Sequence, residues 1–94
     1  MPPLTKSEID DFLKSNVHWK LEDGKLVRDW IFKDFVAAMA FVNQVAELAE
    51  AAGHHPDIDI RYNRVRLGLI SHDAGGTTNR DAEIAKKLSQ KFSS

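Results

Sequence analysis

The chain contains no cysteine among its 94 residues. That excludes a disulfide scaffold, thiolate zinc ligands and a cysteine nucleophile. Charge of one sign never accumulates: 13 Lys plus Arg face 14 Asp plus Glu, leaving a formal net charge of -1. Without a run of like charges the electrostatic footprint of a nucleic-acid-binding protein is missing. Long apolar runs are absent too. Met1-Pro2-Pro3-Leu4-Thr5-Lys6 lacks the hydrophobic stretch of a signal peptide, and no segment reads as a bilayer span. No low-complexity linker divides the chain. The expectation is a cytoplasmic protein of one domain, residues 1–94, with no nucleic-acid or membrane partner. What is present is 43% apolar residues, enough for one packed core but not for a deep internal cavity. A chain this short tends to build its larger sites on the surface or between subunits.

Leu4-Thr5-Lys6-Ser7-Glu8-Ile9 has the form of a helix start. Thr5 is the expected N-cap, Glu8 completes a capping box, and Leu4 can pack on Ile9 as a hydrophobic staple. Ile9, Phe12 and Leu13 then give one apolar stripe. Val17, Trp19 and Leu21 alternate with polar residues, the period of a half-buried strand. Asp23-Gly24 follows, a dipeptide suited to a two-residue hairpin turn because both positions tolerate positive φ. That turn sets Leu21 against Leu26 and Val17 against Trp30, and it places Arg28 among inward positions.

Asp34 is the expected cap of a long helix from Phe35 to about Ala52, ended by Gly53. Phe35, Met39, Val42, Val45 and Ala49 form its stripe, and Phe41 and Leu48 widen it beyond what a monomer's core needs. The surplus width suggests a contact between subunits; burial within the domain explains it equally well. Ile58, Ile60 and Tyr62 read as a strand, Asn63-Arg64 as a tight turn, and Val65, Leu67 and Leu69 as the returning arm. After a loop with Gly75 and Gly76, Thr78 opens a last helix with Ile84, Ala85, Leu88 and Phe92 inward. The order α-β-β-α-β-β-α implies an α+β fold: a four-stranded antiparallel sheet with three helices on one face.

His54-His55-Pro56 stands where the long helix ends and the third strand begins. Histidine titrates near neutral pH, and a helix C-terminus favours its protonated form. Pro56 fixes the backbone beyond the two imidazoles, which can point to different places. His72 follows the second arm of the hairpin, so the topology carries it toward His54 and His55. A solitary histidine is usually a surface or capping residue, whereas three at one end of one hairpin make an acid–base site plausible. Zinc is the rival reading, with Asp73, Asp57 or Glu50 near the imidazoles. No His-x₃-His pair or other local chelating pair is present, so no metal is expected. Thr78-Asn79-Arg80-Asp81 has the capping-box spacing, which makes Asp81 mainly structural. Glu50, one turn before His54, is either a solvated helix residue or a group that orients an imidazole. Trp19 reads as core packing, though from a strand it could close a pocket.

Together these residues resemble the pterin-4a-carbinolamine dehydratases. The matching run is Glu50-Ala51-Ala52-Gly53-His54-His55-Pro56, then Tyr62, His72 and Asp81, with Trp19 and Phe32-Lys33-Asp34-Phe35 upstream. The resemblance covers nearly the whole chain. Thr77 departs from it, standing where many members carry an apolar residue. The resemblance implies three helices on a four-stranded antiparallel sheet. It also implies loss of water from 4a-hydroxytetrahydropterin to give the quinonoid dihydropterin, in support of an aromatic amino acid hydroxylase, with no cofactor. The implied catalytic residues are His54, His72 and His55, with His55, Glu50, Pro56, Trp19 and Asp81 around the substrate. A homodimer or homotetramer through the helix of residues 35–52 is expected. The alternatives are an interaction module that dimerises a transcription factor, as some animal members do, and a pterin-binding protein of another pathway.

Overall fold

The computed structural model describes residues 2–92; Met1, Ser93 and Ser94 of the expected domain lie outside the described residues. Its elements are α1 (Lys6–Ser15), β1 (Lys20–Glu22), β2 (Lys25–Ile31), α2 (Phe35–Ala52), β3 (Asp57–Arg61), β4 (Arg64–Leu69), a 3₁₀ turn (His72–Ala74) and α3 (Asn79–Lys91). The strands form one antiparallel sheet in the order β1-β2-β4-β3, so α2 carries the chain from one hairpin to the other. This is the α-β-β-α-β-β-α arrangement that the periodicities imply.

Local chemistry sets the boundaries. Thr5 accepts the Glu8 N–H while Glu8 accepts the Thr5 N–H, closing the capping box of α1. Asp34 accepts the Ala37 N–H at 2.8 Å, and Gly53 ends α2 in the left-handed region at φ 65°. Asp23 and Gly24 both take positive φ, 51° and 78°, and pair Leu21 with Leu26.

Three expectations are corrected by the packing. Strand β1 is only three residues long, and Val17 is 76% exposed in the turn before it rather than facing Trp30. Trp19 takes the inward place: its ring meets Trp30 edge-on at 5.9 Å, and its indole N–H donates to Ser89 Oγ at 2.9 Å. The second turn is Tyr62-Asn63, not Asn63-Arg64, because Tyr62 adopts φ 55° and Arg61 already pairs with Arg64. Tyr62 therefore lies in the turn, two-thirds exposed. In α2 the buried line is Ala38, Phe41, Val45 and Ala49, while Phe35 is half exposed. Phe41 is no surplus: it stacks with Trp30, Phe32 and Phe92 at centroid distances of 4.9, 5.0 and 4.7 Å.

By length and composition alone α2 is apolar enough to cross a bilayer, contrary to the expectation that no segment would span one. Its buried line instead packs on the sheet face formed by Leu26, Trp30, Val65, Leu67 and Leu69, with Ile84, Ala85 and Leu88 of α3 alongside. Each fully buried leucine contributes about 2 kcal/mol through its removal from water. Arg28 shares that face. Its guanidinium donates to Ser89 Oγ and lies over the Trp30 ring at 4.2 Å, and burial pulls its pKa below the ordinary value. The opposite sheet face is charged, with Lys25 paired to Asp57 and Arg66 to Asp29 and Glu22.

Candidate active site

The junction of α2 and β3 aims its two histidines apart. Behind Gly53, the His54 N–H returns to Ala49 O at 3.2 Å, which turns the backbone sharply off the helix axis. The His54 side chain then packs inward, only 13% exposed, with Nε2 2.5 Å from Asp81 Oδ1. The His55 side chain turns out to solvent and pairs through Nε2 with Glu50 Oε2, one helical turn back. Both of those groups are mostly exposed, so water screens their attraction far more than it screens the buried pair.

Asp81 is fully buried and has two tasks. Its Oδ2 accepts the Thr78 N–H at 2.8 Å, closing the capping box of α3, and also accepts the Ser71 hydroxyl at 2.9 Å. Its Oδ1 is left for His54. The cap of α3 and the contact with His54 thus share one carboxylate. The sequence spacing showed the cap; nothing in it showed Ser71, because that contact depends on strand register. The last β3–β4 pair is Asp57 with Gly68. Continued three residues further along each strand, that register sets Ser71 opposite His54. The earlier turn at Tyr62-Asn63 is what brings Ser71 there.

His72 opens the 3₁₀ turn just beyond Ser71 and is exposed. The turn is held to its surroundings by an antiparallel bridge between Ser71 and Gly76 and by an ion pair of Asp73 with Arg80 at 2.7 Å. The Arg80 guanidinium holds the Asp73 carboxyl below the usual carboxylate range. Thr77, buried, donates its hydroxyl to Gly24 O at 2.8 Å and so ties this loop to the first hairpin. Pro56 is half-buried beside the histidines. Trp19 lies apart from them in the core. Among the described residues no three His, Asp or Glu side chains are grouped as ligands for one ion.

His54 also lines an open cleft of about 250 Å³ between the end of α2 and α3, with Ala52, Asn79, Arg80, Glu83, Ile84 and Lys87. A larger hollow, about 310 Å³, lies on the charged sheet face and contains none of the histidines. The chemistry favours the smaller cleft, since an imidazole backed by a buried carboxylate is equipped to move a proton.

The sequence profile described as pterin 4 alpha carbinolamine dehydratase matches residues 2–91. The chain belongs to that family. A relative in Acidobacterium capsulatum, provisionally named a pterin-4-alpha-carbinolamine dehydratase, is 59% identical over 94% of this chain and 96% of its own length. A relative of the same provisional name in Chloroflexus aurantiacus is 53% identical over 96% of this chain and 97% of its own. Among solved structures, the Brucella melitensis transcriptional coactivator/pterin dehydratase is 37% identical, with a TM-score of 0.86 over 94% of this chain and 96% of that one. A pterin dehydratase-like RuBisCO assembly factor of the alpha-carboxysome shares the fold alone, at 20% identity and a TM-score of 0.61 over 77% of this chain and 83% of that one.

Proposed function

We propose that this protein removes water from a 4a-hydroxytetrahydropterin to give the quinonoid dihydropterin, by general acid–base catalysis with its own histidines. The observation that carries this is the buried His54–Asp81 pair at the His-His-Pro junction, beside an open cleft. The C4a–O bond breaks as an acid protonates the departing oxygen, which leaves as water. The N5–H proton passes to a base, and the N5–H electron pair becomes the C4a=N5 double bond. Hydroxide is a poor leaving group, so the acid is needed, and an imidazole near its own pKa can supply either transfer. His54, His55 and His72 are the proposed catalytic residues, with Glu50, Pro56 and Asp81 supporting the substrate. Trp19 is the proposed binding residue least supported by its place, since it is only 3% exposed.

The product is the dihydropterin that a separate reductase would return to the tetrahydropterin used by an aromatic amino acid hydroxylase, in the cytoplasm. The chain would assemble as a homodimer or homotetramer through the outward face of α2, where Val36 is 75% exposed. The name of the Brucella relative favours a second reading, that of a module which helps a transcription factor to dimerise. The histidine site supports the enzyme reading, because an adaptor has no use for it. Stopped-flow dehydration of enzymatically generated carbinolamine tests the choice. Acceleration over the spontaneous reaction is expected, and a rate equal to background would reject the enzyme reading.

A further inference from the structure

Four groups at the N-terminus of α3 form one hydrogen-bonded line. The Arg80 N–H donates to Thr78 Oγ1 at 3.2 Å. Thr78 Oγ1 and Ser71 Oγ are 2.8 Å apart, and Ser71 Oγ donates to Asp81 Oδ2 at 2.9 Å. Ser71 spends its single proton on the carboxylate, so the proton between the two hydroxyls is the one Thr78 gives. Every donor in the line therefore points toward Asp81. Ser71, Thr78 and Asp81 are 1%, 0% and 0% exposed, so water does not compete for these bonds. Such a line strengthens its members cooperatively in a buried setting.

The line ends on Oδ2, where the Thr78 N–H also arrives at 2.8 Å. Oδ2 is thereby occupied, and Oδ1 alone faces His54 at 2.5 Å. A carboxylate only accepts hydrogen bonds, so the proton in that contact sits on His54 Nε2. Neutral His54 then carries its lone pair on Nδ1.

We propose that Ser71 is a positioning residue that, through Asp81, fixes His54 as the base of the dehydration, with a proton on Nε2 and Nδ1 free to take the one leaving N5. This rests on the dehydratase reading above. The imidazolium formed on proton uptake faces a buried carboxylate, which stabilises it. The exposed His55–Glu50 pair lacks that shielding, and His72 stands in the exposed 3₁₀ turn. His72 is then the proposed acid at the 4a oxygen, with His55 chiefly holding the pterin.

Nitrogen-15 NMR of the imidazoles, recorded on the full chain beside stopped-flow dehydration, tests the proposal with Ser71→Ala and Ser71→Thr. The wild type should show His54 protonated on Nε2 when neutral. Ser71→Ala should mix the two ring tautomers and lower kcat about ten- to a hundredfold with KM little changed, the scale of a misplaced catalytic group. Ser71→Thr keeps the hydroxyl and should restore both. An active wild type whose Ser71→Ala form keeps its tautomer and its kcat overturns the positioning role. An active wild type with neutral His54 protonated on Nδ1 overturns the base assignment. A wild type with no activity defeats the dehydratase reading itself and the base assignment with it.

Discussion

Asp81 Oδ1 lies 2.5 Å from His54 Nε2 while Oδ2 of the same carboxylate caps α3, so helix stability and site geometry depend on one side chain.

Two substitutions separate those tasks. Asp81→Asn keeps an acceptor for the Thr78 N–H but can turn its amide N–H toward His54, forcing the ring into the opposite tautomer. Turnover should fall by about 10²-fold or more, the scale of lost acid–base catalysis, with little change in the unfolding midpoint. Asp81→Ala also removes the cap and strands the Ser71 hydroxyl, so urea unfolding should show a loss of at least about 2 kcal/mol. Wild-type turnover in folded Asp81→Asn would confine Asp81 to a structural role.

The three histidines should differ in kind. His54→Ala and His72→Ala should each lower kcat, typically about 10² to 10⁴-fold for acid–base catalysis. His55→Ala should chiefly raise KM, because an exposed residue that holds the substrate equally before and during reaction contributes uniform binding. Because both transfers belong to one elimination, the His54→Ala/His72→Ala pair should be less impaired than the product of the single effects. Steady-state kinetics near neutral pH, corrected for spontaneous dehydration, resolve these patterns.

On α2, Val36 and Phe41 should respond oppositely to a charge. Val36→Glu alters a residue that is 75% exposed and should leave folding intact while weakening assembly, as measured by light scattering. Phe41→Glu buries a carboxylate among Trp30, Phe32 and Phe92. Losing the ring alone costs about 3–5 kcal/mol, so this variant should unfold rather than dissociate. An oligomer unchanged in Val36→Glu would move the contact elsewhere.

Acid should weaken the charged sheet face in a defined window. Arg66 donates to both oxygens of Asp29, at 2.8 and 3.0 Å, and holds that carboxyl below its ordinary value against the opposing effect of burial. With the folded pKa depressed, the stabilisation is fully present above the unfolded value of about 3.9 and is lost as pH falls through the folded one. Thermal melts should show Asp29→Asn less stable than the wild type near pH 6. That gap should close as the pH falls below the unfolded value and through the lower folded one.

Features that depend on near neighbours are legible in the chain before it folds. Both capping boxes, the Asp34 cap, the Gly53 stop and the Asp23-Gly24 turn involve residues three or four apart or a single dihedral preference, so they are legible without a fold. Period and order then sufficed for the α+β sheet and for placing His54, His55 and His72 around one hairpin. Tertiary structure alone decided which way those groups face. Phe41 became central and Phe35 peripheral because the sheet selects one side of a helix that is apolar on more than one. Asp81 acquired His54 and Ser71 because the Tyr62-Asn63 turn sets the register of β3 against β4, and a turn moved by one residue would seat a different side chain opposite His54.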